Sequence, residues 1–470
     1  MLTVHISETC RGEIEYVLGV VFSEWLGVPF RVVVGAHEGI EIEREGGVLS
    51  LDASFFRGAA GAWLEDASMP VLPLRTLELT DVPAEIVRRL RERVPEQPGE
   101  IPVLYGEPRV VLSGAGGNDA EHEGHQVRCD VDIFGSIFFM LSRYEEVVVP
   151  DRDEHDRFPA TASVAFKAGF LERPIVNEYV ELLWAMMSYL WPGLRRRERE
   201  FRMLVSHDVD VPFELALISR ARAVYRSLRE VKRNKRIEPG IKLYGSWQHV
   251  REGRLEADRN YTFPFIMDSS EARNLQSAFF FLPRERYNIS DPLVTDLLLA
   301  IDERGHEIGL HTGYETYLSM EKTVDEAKLL RSAVRRIGIN QRISGGRQHY
   351  LRWRTPETFR NWEAAEMDYD STLGFADLPG FRCGTCWEYT VYDVVYRRPL
   401  NLAERPLVTM ESSIIHKKYM GLGVSEAAFN RFKYYKNTCK VFHGDFTLLW
   451  HNSELTTGAQ RELYLAVLDA

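Results

Sequence analysis

Along the chain the apolar positions change spacing, and the changes predict where elements begin and end. From Glu13 to Leu26 they recur at helical spacing, and from Val28 to Val34 they run on continuously, as in a strand. Short β-like pieces follow at Val48–Leu51 and Val103–Leu112, separated by Gly and Pro. Phe134–Glu146 and Pro174–Gly193 read as apolar helices, the second opened by Pro174 and closed by Pro192 and Gly193. The charge run Leu194–Glu200 then interrupts the pattern, and few contacts are expected to cross such a solvated stretch. It places a boundary between an α+β part over 1–197 and a second part over 198–470.

In the second part strands and helices alternate. A short apolar run over Phe201–Val205 is followed by helical pattern over Phe213–Lys232, a strand at Ser277–Leu282 and a helix at Pro292–Arg304. Next come a strand at Glu307–Leu310, a helix at Glu321–Ile337, a strand leading into Gly345–Tyr350, a helix at Pro356–Met367, and strands at Val408–Met410 and Phe446–Trp450. Such alternation implies parallel strands with helices outside, as an open sheet or a barrel.

Composition narrows the partners. The chain of 470 residues is long enough for two or three cores. Its net charge of -11 argues against nucleic acid or an anionic membrane surface as the main partner, although a local basic patch can coexist with an acidic total. No apolar run is long enough to span a bilayer, and the opening residues MLTVHISETCRGEIEY have neither a basic nor an apolar leader region, so a cytoplasmic protein is expected. Five cysteines give no disulfide framework, and the lone CxxC of Cys383 and Cys386 reads as two buried thiols.

The chemistry centres on LVSHDVD, Leu204 to Asp210, an apolar strand that ends in a polar cluster. Two carboxylates at the C-terminal end of such a strand lie where catalytic groups collect, one able to bind a metal and the other to accept a proton. The same Asp-Val-Asp pattern at Asp130–Asp132 precedes an apolar helix, with no histidine-bearing strands after it, and reads as a helix cap. After Asp210 the order is distinctive. His311 closes one strand, Arg347 and His349 lie one side-chain period apart on the next, and His451 follows the last. Any one of these reads as a packed histidine, but strand after strand ending in Asp or His is harder to explain by packing.

In order and spacing these motifs resemble the NodB-homology polysaccharide deacetylases, in particular a branch with a His-Asp-Val-Asp first motif and a preceding domain of unknown role. FGSIFFMLSRYEE and ERPIVNEY resemble that preceding region. The resemblance implies a distorted (β/α) barrel with an N-terminal α+β accessory domain. It implies a metal-dependent hydrolase removing an acetyl or formyl group from an amino sugar of surface polysaccharide or its precursors. Asp208 would be the general base, Arg347 its orienting partner, and His451 the proton donor to the leaving amine. Val209 stands where the family has its metal-binding aspartate, which moves that role to Asp210. His311 matches the first histidine of the second motif, while Glu315 replaces its partner. The third ligand is then Glu315 or His349, with His349 favoured because an imidazole suits a zinc-like divalent ion. Arg382 and Trp353 are candidates for substrate contact, and His306 is expected at the surface. Two alternatives stay open: a carbohydrate-binding protein without catalysis, and a metal-dependent hydrolase of another C–N bond.

Overall fold

A computed structural model of the chain describes residues 1–96, 98–113 and 126–470. Its first part contains β1 (Leu2–Ser7), β2 (Phe30–Gly35), β3 (Ile40–Arg44), β4 (Gly47–Leu51), β5 (Arg75–Glu78), β6 (Glu100–Val103), β7 (Gly106–Ser113) and β8 (Gln126–Val131). Six form a mixed sheet in the order β2-β1-β3-β4-β8-β7, and β5 pairs with β6 as a separate ribbon. In β1 and β8, Leu2, Val4, Ile6, Val127, Cys129 and Val131 are buried in strict alternation, so one face of the sheet meets the core. That core is closed by the helices Ile133–Leu141 and Ile175–Leu190, which are apolar nearly all round and correspondingly buried.

The second part contains β9 (Arg202–Val209), β10 (Ser277–Phe281), β11 (Glu307–Thr312), β12 (Gly345–Gln348), β13 (Tyr369–Asp370), β14 (Tyr389–Asp393), β15 (Arg398–Glu404), β16 (Thr409–Met410) and β17 (Asp445–Leu449). Their order is β14-β15-β13-β12-β11-β10-β9-β17-β16, with only the β14–β15 pair antiparallel. The sheet curls as a half barrel, and β14 and β16 remain its two edges. Every parallel strand therefore presents its C-terminal end on one rim, which is what gathers the site.

Three predicted elements differ for local reasons. Val103–Leu112 divides into β6 and β7 at Gly106, whose φ of 87° no other residue type adopts as readily and where a Cβ would lie 2.3 Å from the Asp130 carbonyl oxygen. The Phe134–Glu146 helix stops at Leu141, ahead of Arg143, which takes a left-handed φ of 53°. Phe213–Lys232 becomes helical only from Arg220, because the Asp258 carboxylate accepts the backbone N–H groups of Glu214, Leu215 and Ala216 and so holds them out of a helix. Asp132 caps the helix at Ile133, its carboxylate accepting from Gly135 N at 2.7 Å and from Phe55 N at 2.7 Å.

The two parts share one continuous apolar cluster, contrary to the expectation that few contacts cross the 194–200 run. Within that run Arg196 forms a two-pronged bridge to Glu181 and Arg197 N donates to Leu26 O, so charge there is used locally. Trp25 and Tyr16 donate to the carbonyls of Glu388 and Thr390, Tyr392 donates to Glu13, and Tyr389 to Leu141 O. Between the two parts lies a buried charge cluster. Arg382 binds both oxygens of Glu146 at 2.9 and 2.6 Å, and Arg143 binds Glu146 and Glu145 at 2.9 and 2.6 Å. Burial by itself raises the Glu146 carboxyl, yet Arg382 and Arg143 override it and hold it below the ordinary range. Arg382→Leu leaves a buried carboxylate short of its partner, and a loss of about 3–5 kcal/mol is expected in denaturant unfolding.

Candidate active site

Side chains of β9 alternate between two environments. His207 points into packing, its Nδ1 2.6 Å from Trp450 O and its ring stacked on Phe279 at 5.1 Å. Burial pushes that imidazole down to about 3, so it is neutral and structural. Ser206 and Asp208 lie on the other side and meet Arg347 from β12. The Arg347 guanidinium donates to Asp208 Oδ1 at 2.8 Å, to Ser206 Oγ at 3.0 Å, and to Ser371 O and Oγ at 2.8 and 3.1 Å. Fully buried and held by these four hydrogen bonds, Arg347 is fixed in place. Burial raises the Asp208 carboxyl, but His311 and Arg347 prevail and keep it below its usual range.

Asp210, His311 and His349 form the adjoining cluster, with one ligand atom of each within 4.8 Å of the others. His311 Nε2 lies 3.3 Å and His349 Nε2 3.4 Å from Asp210 Oδ1. The outer nitrogens are already occupied: His311 Nδ1 is 2.9 Å from Arg347 O, and His349 Nδ1 is 3.2 Å from Glu285 Oε2. Acceptors at Nδ1 fix both rings with Nε2 toward Asp210, the orientation that prepares imidazoles for a metal. Asp210 Oδ1 and His349 Nε2 are both buried without a hydrogen-bond partner, an arrangement that is costly unless something sits between them. Tetrahedral bonds of about 2.1 Å would set ligand atoms about 3.4 Å apart, so these side chains fit a zinc-like ion.

His451 follows β17, its Nδ1 2.6 Å from Oε1 of Glu411, a wholly buried residue just past β16. Burial pulls the imidazole down, but Glu411, aided by Asp210 and Asp208, holds it up at about 10. Together Asp208, Asp210, His311, His349 and His451 line a cleft of about 350 Å³. Its remaining wall includes Arg157, Tyr350, His416, Lys418 and Tyr419. Arg157 belongs to the first part of the chain. Its guanidinium is clamped by Asp153 at 2.8 and 2.7 Å and donates to Tyr350 O at 2.9 Å, so residues before 198 reach the cleft as well.

Other expectations need correction. Glu315 is two-thirds exposed, 3.7 Å from Arg352, and stands apart from the cluster, whereas His349 lies beside Asp210 and His311. His306 is buried, not exposed: its Nδ1 accepts from Ser277 N at 3.1 Å and its Nε2 lies 3.3 Å from Glu271. Arg382 and Trp353 are both buried away from the cleft, Arg382 in the Glu146 cluster and Trp353 edge-on to Phe359 at 4.7 Å. Neither is placed to touch a substrate. Cys383 and Cys386 are free and buried, as expected. The sequence expectations do not include Glu411, Glu285 or Arg157. Glu411 follows the Val408–Met410 strand and obeyed the same strand-end rule as the histidines, whereas Glu285 and Arg157 sit in loops with no pattern to mark them.

Against known proteins, a family model described as a family of unknown function (DUF7033) matches residues 2–192. No curated protein matches the sequence. Among solved structures, one described as a polysaccharide deacetylase from Mycobacterium smegmatis is similar at 15% identity over 58% of this chain and 84% of its own, with a TM-score of 0.36. Puue allantoinase is similar at 13% identity over 59% of this chain and 85% of its own, with a TM-score of 0.35. A structure described as a probable polysaccharide deacetylase from Pseudomonas aeruginosa PAO1 has 14% identity, coverage of 59% and 86%, and a TM-score of 0.34. Among the described residues no helix is long and apolar enough to cross a membrane.

Proposed function

We propose that the cleft belongs to a metal-dependent hydrolase that removes an N-acetyl or N-formyl group from an amino sugar used in surface polysaccharide or its precursors. The observation that carries this is the convergence of His311 Nε2 and His349 Nε2 on Asp210 Oδ1 at 3.3 and 3.4 Å, with His349 Nε2 and Asp210 Oδ1 buried without a hydrogen bond, beside a carboxylate held by arginine. Asp210, His311 and His349 would hold the ion, and two imidazoles with one carboxylate suit zinc. A divalent cation there supplies Lewis acidity, polarising the amide carbonyl and acidifying water.

The chain's own groups do the rest. Asp208, ionised and fixed through Oδ1 by Arg347, has Oδ2 to take the proton of the attacking water. His451, with Nδ1 tied to Glu411, keeps a proton on Nε2 for the nitrogen as the C–N bond breaks, so that amine and not amide anion departs. Base and acid come from the adjacent strands β9 and β17, and the substrate amide would lie between them. The first part of the chain, proposed as an accessory unit over 1–197, would then shape the mouth of the cleft through Arg157.

The experiment is a panel of N-acetylated and N-formylated amino sugars, free, nucleotide-linked and polyprenyl-phosphate-linked, with a cyclic ureide as control, offered to zinc-loaded protein. Release of acetate or formate from at least one sugar is expected. Opening of the ureide alone would replace this reading with that of a different C–N hydrolase, and sugar binding without turnover in metal-replete protein would replace it with a binding role.

A further inference from the structure

Between β9 and β10 the chain leaves the sheet as a helical hairpin, Arg220–Asn234 and Glu238–Arg251. The helices close on a small core of their own, Leu215, Ala223 and Trp247 with Ile218, Leu243 and Tyr244 against it, separate from the main apolar cluster. Gly240 permits the close crossing, since a Cβ there would lie 2.4 Å from Val231 Cγ2 and 2.6 Å from Ser227 O. Apart from Val250, which joins the main cluster, the inward apolar positions are thus spent on the hairpin itself.

What remains faces outward and is unlike the rest of the surface. Val224, Tyr225 and Leu228 make one stripe, Ile237 and Ile241 another one helical turn apart, and Tyr225, Leu228, Ile237 and Ile241 are 65%, 64%, 68% and 67% exposed. Around them, Arg220–Arg251 holds ten Lys and Arg against two Glu, in a chain whose total charge is -11. Arg226, Arg233 and Arg236 have acidic neighbours, but among the described residues the exposed Arg222, Arg229, Lys232, Lys235 and Lys242 form no ion pair.

Two exposed apolar stripes on one hairpin imply a covering partner, and the cations specify its sign. Nucleic acid would use the arginines and lysines but has no place for Leu228, Ile237 and Ile241. A lipid surface uses both, with apolar side chains entering the headgroup boundary and cations meeting phosphates. We infer that this hairpin docks the protein on an anionic lipid bilayer, by insertion of Leu228, Ile237 and Ile241 among the headgroups.

The hairpin's root supports a rigid attachment. Asp258 gathers three backbone N–H groups at its entry, and Asn452 Nδ2 donates to Val211 O at 3.1 Å and to Asn260 O at 3.0 Å. Val211 follows Asp210 and Asn452 follows His451, so the hairpin rises from the same sheet edge as the cleft. The inference does not depend on what the cleft catalyses.

Co-sedimentation of the full chain with vesicles tests it. Binding is expected to vesicles of phosphatidylglycerol and phosphatidylcholine in equal parts, weakly or not at all to phosphatidylcholine alone, and to fall with salt. The exposed-site variant L228S/I237S/I241S is expected to bind about tenfold more weakly or worse, and R229E/K232E/K235E about a hundredfold more weakly, both with unchanged Tm. His311→Ala should bind vesicles like the wild type, which separates this inference from the reading of the cleft. The inference is overturned by absence of binding to the mixed vesicles at low salt. It is equally overturned if the serine variant still binds vesicles fully, if a nucleic-acid duplex binds in preference, or if sedimentation velocity shows a dimer that the serine variant splits.

Discussion

Asp208→Asn is expected to lower kcat for acyl release by about 10²- to 10⁴-fold while the metal content stays at the wild-type level. The asparagine still accepts a hydrogen bond from Arg347 at the Oδ1 position, so the geometry set by Ser206, Ser371 and Arg347 survives and only the basic oxygen is lost. Asp210→Asn should do the opposite in metal analysis, because Asp210 Oδ1 is the atom both imidazole Nε2 groups face. Measured together, kcat and zinc stoichiometry assign the two carboxylates. Loss of metal from Asp208→Asn with retention in Asp210→Asn would mean that their roles are exchanged.

Glu411→Gln is expected to move the alkaline limb of kcat/KM downward. A general acid works while protonated, so its activity is lost as pH rises through its pKa. In the wild type His451 is held at about 10 against burial, chiefly by Glu411, and the limb should lie far into the alkaline range. Without that carboxylate burial dominates, the imidazole loses its proton at or below the neutral range, and activity at alkaline pH should fall by about 10²-fold or more. Metal content should not change, since Glu411 lies outside the metal cluster. An unaltered pH profile would remove His451 from the role of proton donor.

The residues at strand ends were legible because their local pattern is unambiguous. An apolar run that stops at Asp208, His311 or His451 marks both a strand and the end of it, and parallel strands share that edge. The cap at Asp132 was legible for the same kind of reason, since the helix it starts is written in the residues that follow. The partners of these groups were not. Glu411 reaches His451 across 40 positions, Glu285 reaches His349 across 64, and Arg347 reaches Asp208 across 139. Such pairs depend on which strands become neighbours, and no local spacing encodes that; the Arg347–Asp208 pairing was expected only through the family resemblance.

Misreadings followed the same divide. His306 resembles an exposed residue ahead of a strand, yet it fills a buried position over Phe279 because β10 and β11 lie side by side. Arg382 resembles a ligand contact in a glycine-rich loop, yet Glu146, 236 positions earlier, captures it. The charge run at 194–200 suggested few contacts across it, but Trp25, Tyr16 and Tyr392 link the first part to the stretch 388–392. Side-chain polarity tells whether a residue can face water; it does not tell whether a distant partner makes burial cheaper.

Taken alone, the order of amino acids determined the alternation of strands and helices after residue 198, the polar closure of β9, β11 and β17, and the caps. Those follow from periodicity and short-range hydrogen bonding, which act over a few residues. Only the tertiary structure decided that His349 and not Glu315 stands beside Asp210 and His311, that Glu411 pairs with His451, and that the first part of the chain lends Arg157 to the cleft. Each of these depends on the curl of one parallel sheet bringing separate strand ends within a few ångströms, a long-range result of burying its apolar faces.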